Sequence, residues 1–268
     1  MFKKCVENVR NNVPLVHNIT NYVTVNDVAN VLLACGGSPI DDVEDITSIC
    51  GGLNINIGTL NKNTIPSMFA AGKKANELGH VVLLDPVGAG ASKLRTNTAN
   101  ELMEKVKFDV VRGNISEVKT LMLGTGSTKG VDADVSDKVT DENLDDTISK
   151  LKSFSKATGS IIAVTGAIDL VCDSEKCYVI RNGRAEMSSI TGTGCQLSGL
   201  MTAFLVANPE NKLEAAAAAV CTMGLAGEIA WSRMSEGDGN STYRNRIIDA
   251  IYNMDGETLE KGAKYEVK

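Results

Sequence analysis

The sequence predicts an α/β fold in which a mostly parallel central sheet lies between layers of helices. Three observations predict it. Val81-Val82-Leu83-Leu84, Asp109-Val110-Val111 and Ile161-Ile162-Ala163-Val164 contain short apolar runs without alternation, as strands buried on both faces require. Helical periodicities separate these runs, the rhythm of strand–helix–strand units. Each run also ends in a polar group, namely Asp85, Arg112 with Asn114, and Thr165, where open α/β sheets hold their ligands. No linker, internal repeat or low-complexity segment divides residues 1–268, so one domain is expected.

In chain order, residues 2–11 suit a short helix that stops before Pro14. Leu15 to Tyr22 is a polar-rich segment in which His17, Asn18 and Asn21 sit among apolar neighbours; His17 reads as a structural hydrogen bonder. Thr24 is placed to cap a helix carrying Val25, Val28, Ala29, Leu32 and Leu33, which ends at Gly36-Gly37. The acids from Asp41 to Asp45 suit the first turn of another helix. Leu53 to Gly58 alternates as a strand, with Asn54 and Asn56 on one face. Helices are expected from Thr64 to Leu78, near 98–107 and from Asp141 to about Ala157, with an exposed connection over 124–140. Residues 170–172, 178–180 and 184–187, separated by turns, read as an antiparallel meander. Beyond Thr193 the chain reads as helices at 195–207, 212–234 and 241–254.

Composition narrows the function. An apolar fraction of 43% suffices for a sizeable core, and a formal charge of −6 argues against nucleic acid or another polyanion as partner. The seven cysteines lack zinc-ligand spacing; all but Cys195 read as small buried hydrophobes in a reducing, cytoplasmic setting. Lys3, Lys4, Glu7 and Arg10 break up the N-terminus, so no signal peptide is expected there, and no later run is expected to span a membrane.

The stretch Ile190-Thr191-Gly192-Thr193-Gly194-Cys195 leads into an apolar run rich in small residues. Such a glycine turn feeding a buried helix presents free backbone N–H groups at the positive end of the helix dipole, which makes an anion site. A phosphoryl group transferred there would meet Cys195 at the mouth. Asp85 and Glu117 are hard oxygen ligands that suit magnesium, and Arg112 can fork onto phosphate oxygens. Each residue also has an ordinary structural reading: a helix cap for Asp85, a surface charge for Glu117, an interior ion pair for Arg112. Their convergence at one sheet edge favours function.

Pro-Leu-Val-His-Asn-Ile-Thr-Asn-Tyr-Val (14–23), Leu-Asp-Pro-Val-Gly-Ala-Gly-Ala (84–91), Val-Arg-Gly-Asn (111–114) with Glu117, Val-Thr-Gly (164–166) and Thr-Gly-Thr-Gly-Cys (191–195) together resemble the hydroxyethylthiazole kinase family. The resemblance implies a ribokinase-like three-layer sandwich and transfer of the ATP γ-phosphoryl group to the hydroxyl of 4-methyl-5-(2-hydroxyethyl)thiazole, a step of thiamine salvage. It implies a cytoplasmic homotrimer with thiazole sites between subunits. By motif match, Arg112, Thr165, Asn114 and Gly194 would hold ATP, Gly192, Asn21 and Ile40 would meet the thiazole, Asp85 and Glu117 would organise Mg2+, and Cys195 would stand beside the attacking hydroxyl.

Two features depart from neighbouring patterns. Related sequences follow the Gly-Ser-Pro-Ile segment with a substrate-contacting methionine, whereas here Ile40 runs into Asp41. Ribokinase-like enzymes more generally carry an aspartate base where this chain has Cys195. A free thiol has a pKa of about 8.5, and the helix start is expected to lower it. The alternatives are a kinase for another small alcohol such as hydroxymethylpyrimidine, an ATP- or ADP-dependent lyase on the same scaffold, and a non-catalytic nucleotide-binding module.

Overall fold

The computed structural model describes residues 1–35, 38–40, 44–124 and 138–268, with the backbone alone for 38–40. The chain opens with α1 (Phe2–Asn12), which ends at Val13 in the left-handed region, and β1 (Leu15–Ile19). It continues through α2 (Val25–Cys35), β2 (Ser38–Ile40), α3 (Glu44–Ile49), β3 (Gly52–Asn56), α4 (Thr64–Leu78), β4 (Val81–Asp85), α5 (Lys93–Lys105), β5 (Val110–Asn114) and α6 (Ile115–Gly124). Then follow α7 (Leu144–Thr158), β6 (Ile161–Thr165), β7 (Asp169–Cys172), β8 (Cys177–Ile180), α8 (Thr193–Ala207), α9 (Lys212–Ser232), α10 (Asn240–Tyr252), α11 (Gly256–Gly262) and β9 (Tyr265–Val267).

The strands form one sheet in the order β2-β1-β3-β4-β5-β6-β7-β8-β9 among the described residues. The first six run parallel and the last three are antiparallel to their neighbours. Every residue of β3 and β4 is buried, as the apolar run Val81–Leu84 requires of a strand covered on both faces. One apolar layer packs α1, α2, α8, α9, α10 and α11 on the sheet through residues such as Val16, Leu83, Val110, Leu200 and Ala218. The opposite layer packs α4, α5, α6 and α7 through Leu84, Val111, Leu102, Val118 and Phe154. The stretch 209–232, which contains α9, is long and apolar enough to cross a membrane, yet 83% of its most apolar part is buried within the molecule, as befits a core helix.

The structure changes several sequence expectations. Residues 15–19, read only as polar-rich, form β1; His17 and Asn18 can be buried there because His17 Nδ1 lies 3.0 Å from Thr47 Oγ1 and Asn18 Oδ1 accepts from Asn54 at 2.9 Å. The helix expected near 98–107 begins at Lys93, where Ser92 accepts the N–H of Arg95 and caps it. α6 was not expected, and it begins directly on the end of β5. Residues 184–187 are no strand: Ala185–Ser189 is a single 3₁₀ turn. The C-terminal β9 takes the third place in the meander, fixed by an aromatic cluster in which the Tyr265 ring lies 4.7 Å from Phe2 and 5.6 Å from Tyr178. Cys172 and Cys177 are joined by a disulfide across the β7–β8 hairpin and are not separate thiols, whereas Cys5, Cys35, Cys50 and Cys221 are buried thiols, as expected. The expected helix start at Asp41–Val43 and most of the 124–140 connection lie outside the described residues.

Candidate active site

Parallel strands bring their carboxyl ends to one sheet edge, and the candidate residues gather there. Asp85 ends β4 beside Asn56, which ends β3, and Asn114 and Thr165 end the paired strands β5 and β6. Asp85 is fully buried. Its Oδ2 accepts from Asn56 Nδ2 and Ser198 Oγ, each at 2.8 Å, and from Arg112 Nη1 at 3.5 Å. Asp85 Oδ1 is buried with no hydrogen-bond partner among the described residues. Burial pushes the Asp85 carboxyl up; the charge of Arg112 and the Ser198 and Asn56 hydrogen bonds offset this in part, while the charge of Glu117 adds to the rise.

Arg112 Nη2 donates to Thr165 Oγ1 at 2.6 Å, so the guanidinium is held between Asp85 and the end of β6. Above it, Gly194 leaves room: a Cβ there would stand 2.6 Å from both terminal nitrogens of Arg112. Gly192 caps α8 with φ +85°, in the left-handed region, and a Cβ there would fall 2.1 Å from Thr24 Cγ2. The N–H groups of the first turn of α8 thus open beside Arg112, with no side chain of Gly194 in between.

Cys195 is buried, and its Sγ accepts from Asn21 Nδ2 at 3.2 Å. Burial, and then the charge of Asp85, push the thiol pKa up; hydrogen bonding from Asn56, the charge of Arg112 and hydrogen bonding from Asn21 oppose that shift without reversing it. The lowered thiol pKa expected at a helix start is therefore not found, because desolvation outweighs the favourable groups.

Glu117 stands on α6, and its two oxygens accept the N–H groups of Gly88 at 2.9 Å and of Asn114 at 2.8 Å. It ties the loop after Asp85 to the end of β5. Asn114 Oδ1 accepts the N–H of Glu117 at 2.9 Å and so caps α6. Ile40 ends the edge strand β2, paired with His17 of β1; its side chain lies outside the described atoms.

Next to Arg112 opens a cavity of about 560 Å³ lined by Thr165, Gly194, Asp169, Arg184, Met187 and Val220, among others, with Lys138 and Arg181 adding positive charge. Asp169, which accepts the N–H of Gly166 at 2.8 Å, has its carboxyl pushed up to about 7 by burial. Sequence reasoning missed Asp169, Ser198 and Asn56 as parts of this site. Ser198 had a signal, a hydroxyl three residues past Cys195 in a mostly apolar run, though Gln196 and Thr202 are buried polar groups of the same helix. Asn56 had one too, in the polar face of an alternating strand.

Residues 6–257 match the model of the hydroxyethylthiazole kinase family. The chain is 62% identical to hydroxyethylthiazole kinase of Clostridium acetobutylicum over 99% of both chains. Its structure is similar to that of a hydroxyethylthiazole kinase protein from Pyrococcus horikoshii, with a TM-score of 0.88 and 31% identity over 100% of this chain and 98% of the other. A ribokinase-like superfamily protein from Enterococcus faecalis shares the fold at a TM-score of 0.62 and 13% identity, over 93% of each chain. With its mostly parallel sheet, its glycine-led helix start beside Arg112 and its matches along nearly the whole length, the chain belongs to the hydroxyethylthiazole kinase family and is a kinase of ribokinase-like fold.

Proposed function

We propose that the chain transfers the γ-phosphoryl group of ATP to the hydroxyl of 4-methyl-5-(2-hydroxyethyl)thiazole, giving the thiazole phosphate used in thiamine salvage. The observation that carries this reading is the open approach from Arg112 to the first turn of α8, kept clear by Gly194 and flanked by the buried thiol of Cys195. Phosphoryl transfer asks mainly for positioning and charge stabilisation, and a guanidinium facing free helix N–H groups supplies both. The cationic cavity between Lys138, Arg181 and Arg184 suits the rest of the nucleotide.

The acidic residues fit magnesium. The orphaned Oδ1 of Asp85 is a buried carboxylate oxygen in want of a partner, and a cation that keeps several waters takes one or two carboxylates. Asp85 would hold it, with Glu117 nearby through the Gly88 loop. Held by these carboxylates, the ion would supply positive charge to offset that of the phosphates. The chain's own residues then divide the work. Arg112 and Thr165 orient the transferred group, the α8 N–H groups receive its charge, and Asn114 braces the end of β5 through its cap on α6. Cys195 lies toward the acceptor hydroxyl as a weak base; loose phosphoryl transfer tolerates that, since a general base contributes about 10²- to 10⁴-fold. Gly192 and Asn21 stand on the acceptor side, and the motif match assigns Ile40 to it as well.

A single cytoplasmic domain acting as a homotrimer completes the proposal. One continuous sheet and a family match over 6–257 support the single domain. Tyr22 and Val23, 74% and 70% exposed next to Asn21, supply apolar surface for a neighbouring subunit. A second reading, a different small alcohol as acceptor, is favoured by one feature: Asp41 follows Ile40 where related sequences carry a substrate-contacting methionine.

The test is ADP release from ATP and magnesium with hydroxyethylthiazole as acceptor and hydroxymethylpyrimidine and ribose as controls. Turnover restricted to the thiazole is expected. Turnover of another alcohol alone would move the acceptor assignment while leaving the phosphate side intact.

A further inference from the structure

Asn56 ends β3 with no exposed surface, where an unpaired amide would be costly. Its amide is instead fully engaged. Asn56 Oδ1 accepts the backbone N–H of Gly58 at 2.9 Å and Asn21 Nδ2 at 3.1 Å, while Asn56 Nδ2 donates to Asp85 Oδ2 at 2.8 Å.

The direction of these bonds follows from one group. A backbone N–H only donates, so the Asn56 atom facing Gly58 must be the oxygen and the atom facing Asp85 the nitrogen. The Asn21 atom facing Asn56 Oδ1 must then be its nitrogen, which leaves Asn21 Oδ1 to accept from Thr24 Oγ1 at 3.1 Å. The same Asn21 nitrogen points an N–H at Cys195 Sγ, so the sulfur is an acceptor toward Asn21 and its proton or free charge faces elsewhere. The chain Thr24, Asn21, Asn56, Asp85 thus has one sense, set by Gly58, and it joins the acceptor side of the site to the phosphate side.

We propose that Asn56 is a positioning residue for both halves of the reaction: its carbonyl orients Asn21, the two amides together set the Cys195 thiol and the acceptor alcohol, and the Asn56 amide nitrogen fixes the Asp85 carboxylate. The inference rests on the phosphoryl-transfer reading but not on the identity of the alcohol.

The experiment compares the full-length wild type with Asn56→Ala, Asn56→Asp and Ser198→Ala, using whichever alcohol the wild type turns over. It reads kcat, the calorimetric Kd for the alcohol without nucleotide, and the melting temperature. Asn56→Ala is expected to lower kcat and to weaken alcohol binding, each by about tenfold or more, since small misplacements of reacting groups are costly. Asn56→Asp keeps an acceptor for Gly58 and Asn21 but loses the donor to Asp85 and to Cys195, so kcat should fall while the alcohol Kd, still held through Asn21, stays within about twofold of the wild type. Ser198→Ala, which removes a hydroxyl bonded to Asp85 and to the Gly194 carbonyl but to neither Asn21 nor Asn56, should likewise spare the alcohol Kd. A filler role for Asn56 would move the melting temperature without this split. Unchanged kcat and Kd in Asn56→Ala would overturn the proposal; should that variant fail to fold, unchanged kcat in Asn56→Asp would overturn it equally. Failure of the thiazole assignment would appear separately, as a different acceptor used by the wild type.

Discussion

The two sides of the candidate site, proposed above to take the phosphate and the acceptor alcohol, are built from different materials. On the phosphate side stand charges: Arg112 against Asp85, with Lys138, Arg181 and Arg184 around an open cavity. On the acceptor side stand neutral groups, the amides of Asn21 and Asn56 with the hydroxyl of Thr24 and the thiol of Cys195, all buried and hydrogen-bonded to one another. A highly charged ligand can be gripped through field and fork geometry, with solvent close by. A small neutral alcohol offers no such handle, so its side must hold position by packing and by amides whose direction is locked. Arg112 and Asn56 both touch Asp85, which makes that carboxylate the seam between the two sides.

The comparison can be broken first at the charged side. Arg112→Ala leaves Asp85 without its cation and the transferred group without its fork, and kcat/KM for ADP release is expected to fall about 10³-fold. A loss under about tenfold would shift the phosphate work to the α8 backbone. Cys195→Ala should cost less, about 10²-fold at most in kcat, because a weak base is being removed from a reaction governed by positioning. Complete inactivity of that variant with an intact fold would reverse the ranking of the two sides.

Gly192→Ala sharpens the acceptor side. The new methyl group would meet Thr24 Cγ2 at 2.1 Å in a left-handed backbone, displacing the residue that holds Asn21. KM for the alcohol should rise about tenfold, with the calorimetric Kd for ADP unchanged. Asp169→Asn is the smallest test. Burial raises the Asp169 carboxyl to about 7, the Gly166 N–H and Arg112 only partly opposing it, so its contribution to stability is complete below its ordinary value of 3.8 and is lost as pH rises through about 7. The asparagine keeps an acceptor for Gly166 without a charge. Its melting temperature should therefore gain on the wild type by a few degrees between about pH 5 and pH 8.

Much of the charged side was legible in the chain, because Asp85, Arg112 and Thr165 each end or nearly end an apolar strand, and parallel strands share an edge. The glycines flanking Thr193 announced the helix start by composition alone. The acceptor side was legible only in part. Asn21 and Cys195 were named, but Asn56 was not, nor was Ser198 on the Asp85 side, since a buried polar residue shows its role only once its partner, far off in sequence, is known. The rise in the Cys195 pKa was hidden for the same reason. A helix start is a local feature, whereas desolvation is a property of everything packed around it.

Local pattern was enough for the α/β class, the central strands, helices such as 64–78, and the glycine-led start of α8 at Gly192, because periodicity, capping and glycine geometry act over a few residues. Assembly alone established the rest. Tyr265 becomes the start of an edge strand because Phe2 and Tyr178 stack on it, β1 tolerates His17 and Asn18 because Thr47 and Asn54 meet them, and the single direction of the Thr24–Asn21–Asn56–Asp85 chain comes from the N–H of Gly58. Apart from the local Gly58 bond, these are contacts between segments far apart in the chain or across the sheet, and a buried polar group takes its orientation from the partners the fold brings to it.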